Sequence, residues 1–179
     1  MSLKELMKEE HDAAENHPFI KKLFSGNITK QEYSSFLYNQ KYCYAALEDK
    51  AEELGLLVGI ELIKRATKIS KDLEDLQVEN KEVYNSTIKY CDYINTCSKE
   101  QLLAHIYVRH FGDLSGGQLI AKRVPGSGRM YQFGDDPETI KNILRAKLDD
   151  SLADEAIVCF EFAGKLFEQM LEFVEFTNE

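Results

Sequence analysis

Hydrophobic residues recur at the 3.6-residue spacing of an α-helix along nearly the whole chain, and only three prolines interrupt them. No segment alternates polar and apolar residues as a half-buried strand would. Helix-start signals accompany this pattern as capping boxes and an N-terminal proline, at Ser2-x-x-Glu5, Thr29-x-x-Glu32, Ser98-x-x-Gln101 and Asp136-Pro137. The predicted helices are 2–16, 18–25, 29–54, 59–77, 80–96, 99–122, 137–149 and 152–176. We therefore expect an all-α protein with a single domain over residues 1–179.

Composition restricts the possible functions. The chain has 179 residues and is 44% hydrophobic, which is enough for one substantial core. Its net charge of −9 argues against nucleic acid as the main partner. The four cysteines, Cys43, Cys91, Cys97 and Cys159, form no C-x-x-C motif, so we expect reduced thiols packed in the core. No cysteine and histidine have the close spacing that would support a zinc site.

Targeting signals are not recognisable in the sequence. The N-terminus is charged and amphipathic, without the apolar region of a signal peptide. No apolar run approaches the roughly 20 residues that cross a bilayer. The expectation is a soluble, cytoplasmic protein without a membrane anchor, and a monomer.

Three glycines inside the predicted helix 99–122 need a physical explanation, because each costs about 1 kcal/mol relative to alanine. One interpretation is a turn between two shorter helices. The other is a flat ligand lying against the backbone, since Gly112 and Gly116 are four residues apart and share a face. Arg109 and Asp113 have the same spacing beside that face and are predicted to pair.

The first predicted helix carries a candidate metal ligand, His11. Glu15 lies one turn further on and could bind the second ring nitrogen, which would orient the imidazole. Lys4 lies seven residues before His11, about 10 Å along the axis. The alternative is a purely structural histidine. His105 and His110 have no carboxylate placed as Glu15 is for His11.

A pair of cations on a later helix forms a possible anion clamp. Lys141 and Arg145 are four residues apart and could bind a dianionic ligand. Ordinary solvated surface charge is the alternative interpretation.

Together these segments resemble the biliverdin-producing heme oxygenase family over essentially its whole catalytic domain. The resemblance is carried by three motifs: Lys4-x-x-x-Lys8-x-x-His11-x-x-x-Glu15-Asn16, Tyr44-Ala45-Ala46-Leu47-Glu48 and Gly112-Asp113-Leu114-Ser115-Gly116-Gly117-Gln118. It implies a helical bundle that holds heme between the first helix and a glycine-kinked distal helix.

The resemblance also implies a role for each matching residue. His11 would ligate the iron, with Glu15 as its hydrogen-bond partner. Gly112 and Gly116 would contact the distal heme face, and Asp113 would anchor a water network supported by Arg109 and Tyr44. The heme propionates would be held by Lys4, Tyr107, Lys141 and Arg145. Many members have an asparagine where this chain has Ala163, which changes part of that network.

The implied reaction is oxidative cleavage of heme b by O₂ and reducing equivalents to biliverdin (the IXα isomer), CO and Fe²⁺. Heme would be both substrate and cofactor. Because the sequence has no flavin or iron–sulfur motif, an external electron donor is expected, with ferredoxin the first choice and a bilin reductase as a downstream partner. The product could serve phycobilin biosynthesis or iron recovery.

Two other functions are compatible with parts of this pattern. A non-catalytic protein that binds or sequesters heme would share His11 and the cationic clamp. A di-iron oxidase would need Glu-x-x-His pairs, and none of the four histidines has Glu three residues before it.

Overall fold

The computed structural model describes residues 1–79, 81–134 and 136–177. Within these ranges every regular element is helical, which confirms the all-α prediction. The α-helices are α1 (Leu3–Leu6), α2 (Lys8–Glu15), α3 (Pro18–Ser25), α4 (Lys30–Glu53), α5 (Ala66–Leu76), α6 (Asn85–Ile94), α7 (Lys99–Ile106), α8 (Gly112–Ala121), α9 (Pro137–Arg145) and α10 (Ala153–Thr177). A π-helical segment joins α7 to α8 at Tyr107–Phe111, and short 3₁₀ turns lie at Glu61–Ile63, Arg129–Tyr131 and Asp150–Leu152.

Helix α4 contributes residues to two large apolar clusters. In the first, which is built on its N-terminal half, Phe19 and Phe36 pack with ring centroids 5.0 Å apart, against residues of α5 and α10. In the second, Leu47 in the C-terminal half of α4 packs with residues of α6, α7 and α9. In a third, smaller cluster, Leu3 and Met7 pack against α7 and the start of α10. The N-terminal helices are thereby held beside α7 and α10.

The first predicted helix, 2–16, is interrupted at Met7, which ends α1 and precedes α2. Met7 has φ −94° and ψ 5°, outside the helical region, and its side chain is buried in the third cluster. The predicted capping box at Ser2 is present.

The predicted helix 80–96 is too long at its N-terminal end, because α6 begins only at Asn85. Asn80 lies outside the described residues. The buried side chain of Asn39 holds the preceding segment in a non-helical form: its Nδ2 donates to the Glu82 carbonyl at 2.9 Å, and its Oδ1 accepts from the Tyr84 amide at 2.8 Å.

Two further predicted helices extend beyond the helices that form. The prediction 59–77 covers a 3₁₀ turn and α5, which begins at Ala66. The prediction 137–149 is shortened to α9, and 152–176 corresponds closely to α10. None of the described helices combines the length and apolarity needed to cross a bilayer.

All four cysteines are free thiols, as predicted. Cys43, Cys97 and Cys159 are buried, whereas Cys91 is only partly covered.

Candidate functional site

One face of α8 is bare backbone. Gly112 and Gly116 are both exposed, and a Cβ added at either would meet nothing within 4 Å. The segment stays helical through the glycines, so the interpretation as a turn between helices is wrong. Gly117 has a different role: a Cβ there would overlap the ring of Tyr131, so this glycine allows close packing.

Asp113 lies between the two open glycines in sequence and is only partly exposed. The Tyr44 hydroxyl, from α4, donates a hydrogen bond to its carboxylate. Burial raises the pKa of Asp113 to about 7, although the Tyr44 hydrogen bond and the charges of Arg65 and Arg109 oppose the rise. This carboxyl group can therefore hold or release a proton near neutral pH.

Arg109 does not form the predicted pair with Asp113. Its Nε donates to the Tyr90 hydroxyl at 3.0 Å and its Nη1 to Gln40 Oε1 at 3.1 Å. The guanidinium also lies over the Tyr90 ring, 4.2 Å from the centroid. The physical reason is the π-helical segment, which widens the turn at Arg109 so that the i,i+4 alignment is lost. Arg109 acts on Asp113 through its charge alone.

Arg65 is a member of this site that the sequence did not reveal. It is 1% exposed, and its guanidinium donates to four backbone carbonyls, those of Leu62, Ile63, Met130 and Gln132. It also stacks on the Phe133 ring at 3.7 Å. Because an isolated arginine before α5 resembles any surface cation, no sequence signal would have found it.

Glu48 connects α4 to two other elements. Its carboxylate accepts from the backbone amides of Arg65 and Ala66, at the start of α5, and from His110 Nε2 at 2.8 Å. His110 is fully buried and packs edge-on against Tyr44, with ring centroids 4.9 Å apart. Burial lowers the pKa of His110, so the ring is held neutral.

His105 and His110 have no carboxylate one turn further along their own helix, but the fold gives each of them a carboxylate partner. These partners come from distant helices: Glu48 binds His110, and Glu155 Oε1 lies 2.9 Å from His105 Nε2. Spacing along one helix reveals only partners within that helix, so these two pairs depend on the tertiary fold.

His11 lies on α2 with 58% of its side chain exposed. Its Nε2 is 3.7 Å from Glu15 Oε1, and its Nδ1 is 3.9 Å from Asp12 Oδ1. Glu15 therefore lies beside His11, as predicted, with its carboxylate at ion-pair distance from the imidazole. A cavity of about 410 Å³ adjoins this helix and is lined by Glu15, Asn16, Lys21, Phe24 and Ser25.

Two of the four predicted anion-binding residues converge on Phe111. The Tyr107 ring lies 5.8 Å from the Phe111 ring, and the Arg145 guanidinium lies 5.4 Å from the same ring. The third, Lys141, lines a separate cavity of about 340 Å³ beside Leu114.

Lys4, the fourth, is exposed on α1. Its neighbour Leu3 belongs to the apolar cluster against which Tyr107 also packs. Of the four predicted residues, the structure brings Tyr107 and Arg145 together at Phe111, and Lys141 lies one turn before Arg145 on α9.

The chain is similar in sequence to known heme oxygenases along almost its whole length. The sequence model of the family described as heme oxygenase matches residues 1–169. Heme oxygenase 2 of Mus musculus is 30% identical in an alignment of 202 positions, gaps included, that covers 94% of this chain and 64% of that protein. The heme oxygenase of the alga Rhodella violacea is 28% identical over 95% of this chain and 86% of its own length. The chain thus spans less than two thirds of the mammalian relatives and most of the algal one.

Solved structures share the fold. Heme oxygenase from Leptospira interrogans superposes with a TM-score of 0.83 at 27% identity, covering 93% of this chain and 97% of that one. Heme oxygenase-1 from the cyanobacterium Synechocystis, solved in complex with heme, gives a TM-score of 0.84 at 24% identity, covering 98% and 95%. With its glycine-faced helix and its match over residues 1–169, this chain belongs to the heme oxygenase family.

Proposed function

We propose that this protein is a heme oxygenase, which cleaves heme b with O₂ and external electrons to biliverdin, CO and Fe²⁺. The observation that carries the proposal is the juxtaposition on α8 of an open glycine face with Asp113, a carboxyl group whose pKa is about 7. A site that only stored heme would not need a group that exchanges protons beside that face.

The residues fit a porphyrin. Gly112 and Gly116 leave the helix backbone uncovered, and a flat ring can lie against such a surface without meeting a side chain. The imidazole of His11 is accessible, and Glu15 is near enough to orient it. His11 would hold the iron, while Lys4, Tyr107, Lys141 and Arg145 would bind the propionates. Those contacts would orient the ring and favour attack at the α meso carbon.

Bound heme supplies both the iron at which O₂ is activated and the ring that is cleaved. The chain's own contribution is orientation and proton handling. With a pKa near 7, Asp113 can hold a proton on its carboxyl group and release it to water beside α8. Tyr44 keeps that carboxyl group in place, and the charge of buried Arg109 keeps its pKa from rising further.

An external donor, which we take to be a ferredoxin, would supply the electrons. Five cations would form its docking face: Lys122, Arg123, Arg129, Lys141 and Lys147. Two of them, Arg129 and Lys141, lie in ion pairs with Asp75 and Glu138, which offset their charges. Electrostatic attraction to an acidic donor therefore depends most on Lys122, Arg123 and Lys147. We further propose a cytoplasmic setting, since four free thiols persist most readily in a reducing compartment, and transfer of the product to a bilin reductase.

Turnover of hemin tests the proposal. Hemin is added to the purified chain with O₂ and an electron source, and the product is separated by chromatography. We expect biliverdin from the wild type, none from His11→Ala, and a loss of at least a hundredfold from Asp113→Ala with hemin binding retained. Asp92→Ala, an exposed change on α6, serves as the control and should behave as wild type.

The competing function is non-catalytic heme binding. Saturable hemin binding by the wild type with no biliverdin under any reductant would establish that alternative. Normal turnover by Asp113→Ala would remove Asp113 from the mechanism while leaving the reaction itself in place.

A further inference from the structure

A second cluster of potential ligands lies away from the glycine face, where the end of α6, helix α7 and the start of α10 meet. Cys97 lies in the turn after α6, His105 on α7 and Glu155 in the first turn of α10. One ligand atom from each lies within 4.8 Å of the other two. Glu155 lies 50 residues beyond His105, so the spacing of the cysteine and the histidine alone could not have predicted this cluster.

We propose that Cys97, His105 and Glu155 form a binding site for Zn²⁺. A thiolate, an imidazole nitrogen and a carboxylate oxygen are the three donor types that zinc uses in proteins. The donor atoms of a tetrahedral zinc site lie roughly 3.5 Å apart at the usual bond lengths. Small side-chain rotations would therefore complete this site, with water in the fourth position.

Surrounding side chains already orient the ligands. The Tyr93 hydroxyl donates to Glu155 Oε1 at 2.6 Å, and Gln101 Nε2 donates to Glu155 Oε2 at 3.3 Å. The Tyr90 hydroxyl lies 2.8 Å from His105 Nδ1, which leaves Nε2 directed at Glu155, 2.9 Å away. Metal-binding histidines have such a partner on the second ring nitrogen.

Burial and charge also suit a divalent cation. His105 is fully buried and Cys97 is 6% exposed, whereas the side chain of Glu155 is 15% exposed and provides a path from solvent. Zinc would displace the thiol proton and any proton on His105 Nε2, and the two anions would then balance the charge of the metal.

The chain contains another group of candidate ligands, on α2, where His11, Asp12 and Glu15 are close together. That group is exposed or partly exposed and has no sulfur donor. Cobalt(II), which takes the same ligands as zinc, distinguishes the two groups because only a cysteine site gives a thiolate-to-cobalt charge-transfer band.

The test titrates the full, heme-free chain with CoCl₂ after chelation and dialysis, in the His11→Ala background. We expect the charge-transfer band to saturate at one equivalent and to disappear when ZnCl₂ is added. Cys97→Ser should abolish the band, and Glu155→Gln should weaken cobalt binding at least tenfold. Cys91→Ser, a partly exposed cysteine on α6, is the matched control and should leave the band unchanged.

Absence of the band in the parent protein would overturn the proposal, as would its persistence in Cys97→Ser. Circular dichroism of each variant establishes that it has folded. Should Cys97→Ser fail to fold, Glu155→Gln decides, because unchanged cobalt affinity in that variant would equally overturn the site. The result does not depend on heme cleavage, so failure here would leave the proposed function untouched.

Discussion

The chemistry of Asp113 depends on its surroundings more than that of any other residue at the proposed heme site. Its place in the sequence does not distinguish it from other aspartates on helices. Burial beside Tyr44 nevertheless raises the pKa of its carboxyl group to about 7. Two buried arginines, Arg65 and Arg109, are near enough to oppose that rise. The proton affinity of this carboxyl group is therefore a balance between desolvation and the charges of neighbouring helices.

That balance has a measurable effect on stability. Because the folded state raises the pKa of Asp113 above its usual value of 3.8, the ionised form is the destabilising one. Ionisation of Asp113 does not lower the unfolding free energy below about pH 4. The loss develops as the pH rises towards 7 and is complete above that. Asp113→Asn keeps an acceptor for Tyr44 but cannot ionise. We expect it to exceed the wild type in unfolding free energy by about 4 kcal/mol at pH 8, from a pKa difference of about three units, and to match it near pH 4.

Urea denaturation of the heme-free protein at several pH values measures this difference. Asp92→Asn, an exposed carboxylate on α6, is the control and should show no such dependence on pH. A constant difference between Asp113→Asn and the wild type across this range would contradict the assigned proton affinity.

At the scale of elements, glycines on two faces of α8 have different roles. A side chain at Gly116 would extend into open space, whereas the backbone of Gly117 packs directly against Tyr131. The tendency of glycine to weaken a helix is the same at both positions, so substitution by alanine separates the two roles.

We expect Gly116→Ala to stabilise the heme-free protein by up to about 1 kcal/mol, through helix propensity, while weakening hemin binding. Gly117→Ala should instead destabilise the protein by about 1–3 kcal/mol, because the new methyl group overlaps a buried ring. Thermal denaturation and hemin titration of the two variants make the comparison. Equal stability changes would show that the two faces are not distinct.

Glu48 connects three elements of the fold: α4, α5 and the π-helical segment. Helix α5 begins at Ala66, and its N-cap residue Arg65 provides no side-chain cap, so Glu48 supplies the missing acceptor from α4. The same carboxylate binds His110. Three donors on two elements therefore depend on one buried side chain.

Glu48→Ala should lower the unfolding free energy by about 3 kcal/mol, since it leaves those buried donors without an acceptor. Glu52→Ala removes a carboxylate one turn later whose ion pair with Lys64 is exposed. It is expected to change stability by less than about 1 kcal/mol. Chemical denaturation of both variants is the measurement, and equal losses would contradict the capping role of Glu48.

At the scale of the whole molecule, the two sides of the proposed heme site come from opposite parts of the chain. Helix α2 carries His11 and follows Met7, which is buried in the third cluster, whereas α8 carries the glycine face and packs Leu114 into the second cluster. A bound porphyrin would link them, so the ligand should affect α2 and α8 together.

Hemin at a concentration of 100 times its Kd should stabilise the protein by about 2.7 kcal/mol. Hydrogen exchange should slow in both α2 and α8. Protoporphyrin without iron is the control: it can lie on the glycine face but cannot bond to His11, so it should protect α8 more than α2. Equal protection of α2 by both porphyrins would contradict ligation by His11.

Local patterns in the sequence were sufficient for the helical class, most helix positions and the glycine motif. Apolar spacing and capping residues act within one or two turns, so they can be recognised without knowledge of the fold. His11 and Glu15 were correctly predicted to be neighbours for the same reason, because they are one helical turn apart on α2. The break at Met7 and the late start of α6 escaped prediction because buried contacts with other elements determine them.

Only the tertiary structure decided which charged groups meet. Arg65 approaches Asp113, Glu48 binds His110, and Glu155 joins His105, although each pair is separated by dozens of residues in sequence. The π-helical segment likewise removed the expected Arg109–Asp113 pair by altering the helical turn. Helical periodicity follows from nearest neighbours along the chain, whereas the pKa of a buried carboxyl group depends on every charge that packing brings near it.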